Sequence, residues 1–157
     1  MKTAAALIAL AVCALVGVRK SCALKKRVDF LNEILLMLKN FSAEIRFRGL
    51  TVDELISAEK GRFAQLVMNC RQGGDIKSAW EKACLNLPGN NEETSLLCEL
   101  GRVLGTSDRE GMIDIIALYT EKISALYSRA EADYAKQGKA FVKIGVLCGI
   151  GLAVLII

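Results

Sequence analysis

The chain has 157 residues, enough for one domain with a sizeable core but hardly for two. Hydrophobic residues make up 53% and aromatic residues only 6%, and there is a single proline, so the composition favours an all-α fold over a β-sandwich or barrel. Histidine is absent, which removes the commonest general base and the commonest zinc ligand, and we expect no enzyme, no cofactor, no metal and no small-molecule substrate.

The net charge of +4 is unevenly distributed along the chain. Between Val28 and Ala135 there are 12 basic and 17 acidic residues, a balance of −5. The remaining basic residues flank the apolar runs at the two ends of the chain. A nucleic-acid-binding protein needs its positive charge on the folded body, so we expect no nucleic acid as a partner. Basic residues beside apolar runs instead indicate a membrane protein.

The first apolar run, Thr3 to Val18, is uncharged and is followed at once by Arg19 and Lys20. A transmembrane helix needs about 20 apolar residues, so this run is short, and its length also suits the apolar core of a signal peptide. The basic cluster follows the run, which is the reverse of a secretory signal. We therefore interpret residues 1–19 as an uncleaved transmembrane anchor. This anchor is expected to be continuous with a long helix that ends at Gly49.

Residues 20–143 are interpreted as one cytoplasmic helical domain. Thr51 and Glu54 have the spacing of a capping box, which predicts a helix start. Trp80, the only tryptophan, is interpreted as a core or groove anchor. Glycine pairs, caps and apolar periodicity predict four short helices, at about 52–60, 62–71, 76–86 and 92–104.

The stretch from Leu96 to Ile116 predicts the end of one helix, a tight break and the start of a longer one. Gly105 suits the left-handed position that closes a helix, and Asp108 (or Ser107) can cap the next. Gly101 and Gly105 lie one turn apart and form a helix joint, where the lack of a side chain lets another backbone come close.

The last helix shows no stop between Arg109 and Phe141. A stripe with a period close to 3.5 predicts the seam of an antiparallel helix pair or of a coiled coil. The stripe consists of Met112, Ile116, Tyr119, Ile123, Leu126 and Ala130.

The uncharged residues 144–157 predict a second transmembrane segment, continuous with this last helix. Gly145 and Gly149 form a small-residue face for membrane helix packing. Basic residues stand at the inner ends of both apolar runs, so both termini are expected outside and the helical domain, of about six helices, in the cytoplasm.

Four groups of residues follow one another along the chain: Glu44-Ile45 with Thr51, Gly74 with Ala79-Trp80-Glu81, Leu100-Gly101 with Leu104-Gly105 and Asp108, and Gly145, Leu147 and Gly149. Taken in order and spacing, these motifs resemble the stage III sporulation protein AB family of endospore-forming bacteria, over essentially the whole chain. Two departures from the family pattern are Val52, where members often have proline, and Met112, where they often have glutamine.

The resemblance implies a role as well as a fold. The helical domain of this family is similar to the cytoplasmic domains of the type II secretion and type IV pilus platform protein. By analogy, the chain would be a structural platform of the mother cell–forespore channel. It would couple a secretion-type ATPase (stage III sporulation protein AA) to other stage III membrane proteins in the mother-cell membrane around the forespore.

We hypothesise that the glycine-containing turns present a partner-binding surface whose candidate acidic residues are Asp53, Glu54, Asp75 and Asp108. The alternative is a membrane-tethered helical adaptor unrelated to an ATPase. Such a protein would self-associate as a homo-oligomer through the Met112 stripe.

Overall fold

The computed structural model describes residues 2–71, 73–87 and 91–138, with positions 140, 144, 147 and 151, and these contain no β-strand. The expected all-α fold with six helices is confirmed. The helices are α1 Lys2–Arg48, α2 Val52–Ala58, α3 Arg62–Cys70, α4 Ile76–Leu85, α5 Asn91–Val103 and α6 Arg109–Asp133.

The last helix differs from the expectation of an unbroken α-helix from Arg109 to Phe141. The α-helical geometry ends at Asp133, and a π-helix follows at Tyr134–Gly138. Gly138 is buried there, and a Cβ atom at this position would stand 2.8 Å from the Tyr134 ring. Only a residue without a side chain fits under that ring, which is a local requirement that the hydrophobic period does not report.

The apolar ends of the chain are only partly described. Helix α1 contains the first apolar run without a break. In the part of the chain that the structure describes, no helix combines the length and the apolar character needed to cross a membrane. The predicted packing face at Gly145 and Gly149 lies outside the described residues.

The chain divides into two compact units, one formed by Met1–Phe30 with Tyr127–Ile157 and the other by Leu31–Leu126. The second, here called the central unit, contains all of α2 to α5. Its largest fully buried side chains come from α1, α2, α3, α5 and α6, and they include Phe41, Phe63, Ile34, Leu38, Ile56, Leu100 and Ile116.

Trp80 anchors the core of the central unit, as the sequence predicts. Its indole is buried and its Nε1 donates a hydrogen bond to the Leu97 carbonyl at 2.7 Å. The Phe63 ring meets it edge-on, with the ring centroids 4.9 Å apart. A Cβ atom at Gly101 would stand 2.2 Å from the indole. A close approach at Gly101 therefore exists, and the nearest atoms belong to the Trp80 side chain.

The six residues of the Met112 stripe are all buried within the single chain. Ile116 and Ile123 are at most 2% exposed. The stripe therefore packs within a single chain, as expected for the seam of a helix pair. An intermolecular coiled coil through the same residues would need them to leave this core, so the self-association alternative loses its proposed interface.

Candidate functional site

The turn between α5 and α6 is built as the sequence predicts. Gly105 has φ +75°, a conformation that residues with a Cβ atom rarely adopt. Asp108 caps α6, since its Oδ1 accepts a hydrogen bond from the Gly111 amide at 3.2 Å. The Gly105 amide donates to the Met112 sulfur at 3.1 Å. Met112 therefore makes a polar contact with the turn through its sulfur.

The end of α1 is fastened to the start of α6 by Arg109. Its Nε donates to the Ile45 carbonyl at 2.7 Å and its Nη2 to the Arg46 carbonyl. These carbonyls belong to the last turn of α1, where helix geometry leaves acceptors without intrahelical partners. A cation is also favoured at this negative end of the helix dipole. We call this arrangement the Arg109 clamp.

A second fastening comes from the α1–α2 turn. Gly49, at φ +65°, ends α1, and its amide bonds to the Glu44 and Ile45 carbonyls at 3.1 Å. Thr51 then starts α2 with the predicted capping box: Glu54 Oε2 accepts from the Thr51 amide at 2.8 Å. The bonds from Thr51 hold the pKa of Glu54 below its usual value. These local bonds give the turn a defined shape.

The two turns enclose an open cleft of about 430 Å³, here called the turn cleft. Its volume lies within the range of about 300–1,000 Å³ that is typical of ligand pockets. The apolar residues that line it come from α1, α2, α4 and α6 and from the connecting turns. Charged residues line it beside these apolar residues. The lining includes Ile45, Val52, Ile76, Leu104, Met112, Asp53, Lys77, Asp108 and Arg109.

The four candidate acidic residues are used differently. Asp53 and Asp108 both line the turn cleft, but Asp53 also forms an ion pair with Arg71 at 3.2 Å. Glu54 is committed to its capping box. Asp75 precedes α4 without the side-chain capping bond that the sequence suggests, and it does not line the cleft. The structure thus brings two of the four together.

A family model, stage III sporulation protein AB, matches residues 2–157. The chain belongs to the stage III sporulation protein AB family. No curated protein and no solved structure matches it significantly. Membership gives the chain a place among sporulation proteins.

The residues on which the resemblance to the stage III sporulation protein AB family rests have structural roles in this chain. Glu44 pairs with Arg48 at 3.2 Å on the last turns of α1. Val52 occupies the first position of α2, where proline is also favourable because no intrahelical amide bond is lost. The family motif that ends at Asp108 supplies the Gly101 contact, the Gly105 turn and the cap of α6. These motifs therefore specify the joint and the turn cleft.

Sequence reasoning missed Arg109 and Lys77. The acceptors of Arg109 lie 63 and 64 residues away along the chain, so no local spacing indicates them. The last turn of α1 already carries Arg46 and Arg48, so the sequence gives no sign that a distant cation binds there. Lys77 is exposed in the first turn of α4 and lines the cleft, a position that requires knowing how the helices pack.

The Cys84 thiol of the central unit is buried. Burial and contact with Cys98 raise the pKa of the Cys84 thiol, which disfavours the nucleophilic thiolate. Among the described residues, no group of three or more potential metal ligands comes together. That the chain is not an enzyme stays a prediction.

Proposed function

We propose that this sporulation protein is a structural, non-enzymatic platform of the mother cell–forespore channel complex. It receives a secretion-type ATPase, the stage III sporulation protein AA, at the turn cleft. Family membership supports the sporulation role, and the resemblance of the family's helical domain to secretion platform domains supports the coupling to an ATPase.

The observation that carries this proposal is the Arg109 clamp beside the turn cleft. A platform has to pass on a displacement of its bound partner, and a flexible contact would absorb it. Arg109 joins the last turn of α1 to the first turn of α6 through two hydrogen bonds, and the same residue lines the cleft. A partner held in the cleft would therefore act directly on the two longest helices of the chain.

The charged groups of the cleft suggest how a partner is oriented. Lys77 comes from α4 and Asp108 from the α5–α6 turn, so the two enter the cleft from different elements. The Lys77 ammonium makes no ion pair with any described residue. A partner segment with an apolar anchor and charges of both signs fits this arrangement, because charge complementarity fixes orientation more than it adds affinity.

The proposal includes attachment to the mother-cell membrane around the forespore. Residues 1–19 and 144–157 would be the anchors, residues 20–143 the cytoplasmic domain, and both termini would lie outside. The apolar runs and the basic residues at their inner ends support this topology. Other stage III membrane proteins would then be partners within the bilayer.

The test is co-purification of the full-length, detergent-solubilised chain with the stage III AA ATPase. The informative variant combines Lys77→Glu with Asp108→Ser, because serine keeps the cap of α6 while removing the charge. We expect the variant to bind the ATPase roughly 30-fold more weakly, since the loss of an interface hot spot costs at least about 2 kcal/mol. Circular dichroism checks that its helices are intact.

Glu121→Lys is the control, because Glu121 is an exposed residue of α6 outside the cleft lining. We expect it to leave binding unchanged. Equal binding by the cleft variant and the wild type would remove the cleft from the proposal. If the wild-type chain fails to bind the ATPase in both detergent and vesicles, the platform function itself is refuted.

A further inference from the structure

The first unit carries a concentrated positive segment that the platform function does not use. Within residues 19–27 of α1 there are five basic residues and no acidic one, and the first carboxylate of the chain is Asp29. The five are Arg19, Lys20, Lys25, Lys26 and Arg27. We call this segment the basic collar.

The cations of the basic collar avoid one side of the helix. Gly17, Ser21 and Leu24 follow each other at helical spacing; Gly17 is buried and the other two are partly buried. Ser21 Oγ lies 3.5 Å from where a Cβ atom of Gly138 would stand. This inner side therefore packs within the first unit and carries no charge.

The five cations occupy the remaining sides. With 3.6 residues per turn, Arg19 and Lys26 lie opposite the inner side, while Lys25 lies on one flank. Lys20 and Arg27, also seven residues apart, lie on the other flank. Four of the five are exposed and Arg27 is partly buried. The Arg19, Lys25 and Lys26 side chains make no ion pair with the described residues, so the fold itself does not require their charges.

The collar is longer than the polar layer of a bilayer is thick. Eight helical steps of 1.5 Å separate Arg19 from Arg27, about 12 Å along the axis. A bilayer has a hydrocarbon core of about 30 Å and a total thickness of about 40–45 Å, which leaves roughly 5–7 Å of headgroups on each side. The collar would cross that layer and end within the Debye length of about 8 Å at physiological ionic strength.

We infer that the basic collar binds anionic phospholipid headgroups, which surround α1 at the membrane surface. This inference rests on the membrane attachment in the proposed function and adds a lipid preference to it. Arg and Lys near an anionic surface gain electrostatic attraction that decays within a Debye length. Because the apolar run beside the collar is only 16 residues long, this attraction would also fix the depth of α1 in the bilayer.

The experiment uses the full-length chain reconstituted in phosphatidylcholine vesicles with a minor fraction of phosphatidylglycerol. Spin-labelled lipids of each type report the association constant of phosphatidylglycerol relative to phosphatidylcholine. We expect the wild type to prefer phosphatidylglycerol. The triple variant Arg19→Gln, Lys25→Gln and Lys26→Gln should lose most of that preference. Each cation removed should lower the relative association constant by up to about fivefold. Raising the salt to 1 M, where the Debye length is about 3 Å, should have the same effect.

The matched control is Lys39→Gln with Lys60→Gln and Lys82→Gln. These lysines are exposed, lie outside the collar, and give the same change of three charges. The inference is overturned if the wild type shows no lipid preference or if the control loses as much. Loss of the preference in phosphate buffer of equal ionic strength would reveal a site for free phosphate instead.

Membrane attachment is measured separately, by flotation of the vesicles after an alkaline wash. If the wash removes the chain from the vesicles, both membrane attachment and lipid binding by the basic collar are refuted. A chain that floats with the vesicles but shows equal association with both lipids refutes only the collar.

Discussion

The Trp80 contact and the turn cleft lie in the same unit but are held by different forces. Around Trp80 the chain buries an indole against Phe63 and against the bare backbone of Gly101, so shape and apolar area determine the packing. At the cleft, Arg109, Asp108 and Thr51 fasten helix ends through hydrogen bonds to backbone groups. The first arrangement tolerates little change, whereas the second leaves apolar surface and charges open to a partner.

The largest effect is expected when the Trp80 contact is overfilled. In Gly101→Val the new side chain would begin where indole atoms already stand, at 2.2–2.7 Å from the Cβ position. We expect the free energy of unfolding to fall by about 3 kcal/mol, at the upper end of overpacking effects. Denaturation of the detergent-solubilised chain, followed by the fluorescence of Trp80, measures this change.

The control for this substitution is Gly74→Ala, since no atom lies within 4 Å of a Cβ atom there. We expect Gly74→Ala to change the free energy of unfolding by less than about 1 kcal/mol. Similar values for the two variants would show that the close fit of Trp80 over Gly101 does not govern stability.

A smaller effect is expected when the Arg109 clamp is removed. Arg109→Ala leaves the carbonyls of Ile45 and Arg46 without this donor, and hydrogen bonds to charged groups contribute about 1.5–3 kcal/mol each in favourable settings. Since water can reach this helix end, we expect the free energy of unfolding to fall by about 2 kcal/mol in total. Arg109→Lys should recover only part of it, because an ammonium group lacks the planar fork.

Arg102→Ala serves as the comparison for the clamp. Arg102 pairs with Glu81 at 2.7 Å, but both side chains are at least half exposed, and exposed ion pairs contribute about 0.2–1 kcal/mol. An Arg109→Ala variant as stable as Arg102→Ala would contradict the role of the clamp.

The smallest effect concerns the capping box and depends on pH. Hydrogen bonds from Thr51 lower the pKa of Glu54 in the folded chain from its ordinary value of 4.5. A lowered folded-state pKa contributes stability above pH 4.5, and this contribution is lost as the pH falls through the folded-state pKa. The wild type should therefore be more stable than Glu54→Gln at neutral pH, and the difference should shrink below pH 4.5.

Thermal unfolding of the wild type and of Glu54→Gln, followed from neutral to acid pH, measures this difference in stability. Asp53→Asn, in the same turn of α2, is the control because its ion pair with Arg71 does not involve the cap. A difference between wild type and Glu54→Gln that stays constant with pH would rule out the titration of Glu54 as its origin.

Local patterns were sufficient for most of the fold. Thr51 and Glu54 signal a helix start within four residues, and the period of the stripe from Met112 identifies a buried face before any packing is known. The ends of α2, α3, α4 and α5 lie within two residues of their expected positions. These features depend on neighbours in sequence, which the sequence displays directly.

The features that sequence reasoning missed depend on contacts between distant residues. Glu33 on α1 accepts a bond from the Phe63 amide at 3.3 Å and thereby caps α3, which begins after Gly61 and has no cap of its own. The contact between Trp80 and Gly101 also joins residues that are distant in sequence. The capping role of Glu54 could be predicted from its spacing to Thr51, whereas the role of Arg109 required the three-dimensional arrangement, and the partner-binding surface stays a prediction.

The Arg109 clamp also sets an order of events during protein synthesis. The ribosome makes residues 45 and 46 more than 60 residues before it makes Arg109. Until then, the last carbonyls of α1 have only water and the Gly49 turn as partners. The clamp can therefore form only after α2 to α5 have been synthesised, and a nascent chain that stops before residue 109 leaves the end of α1 without it.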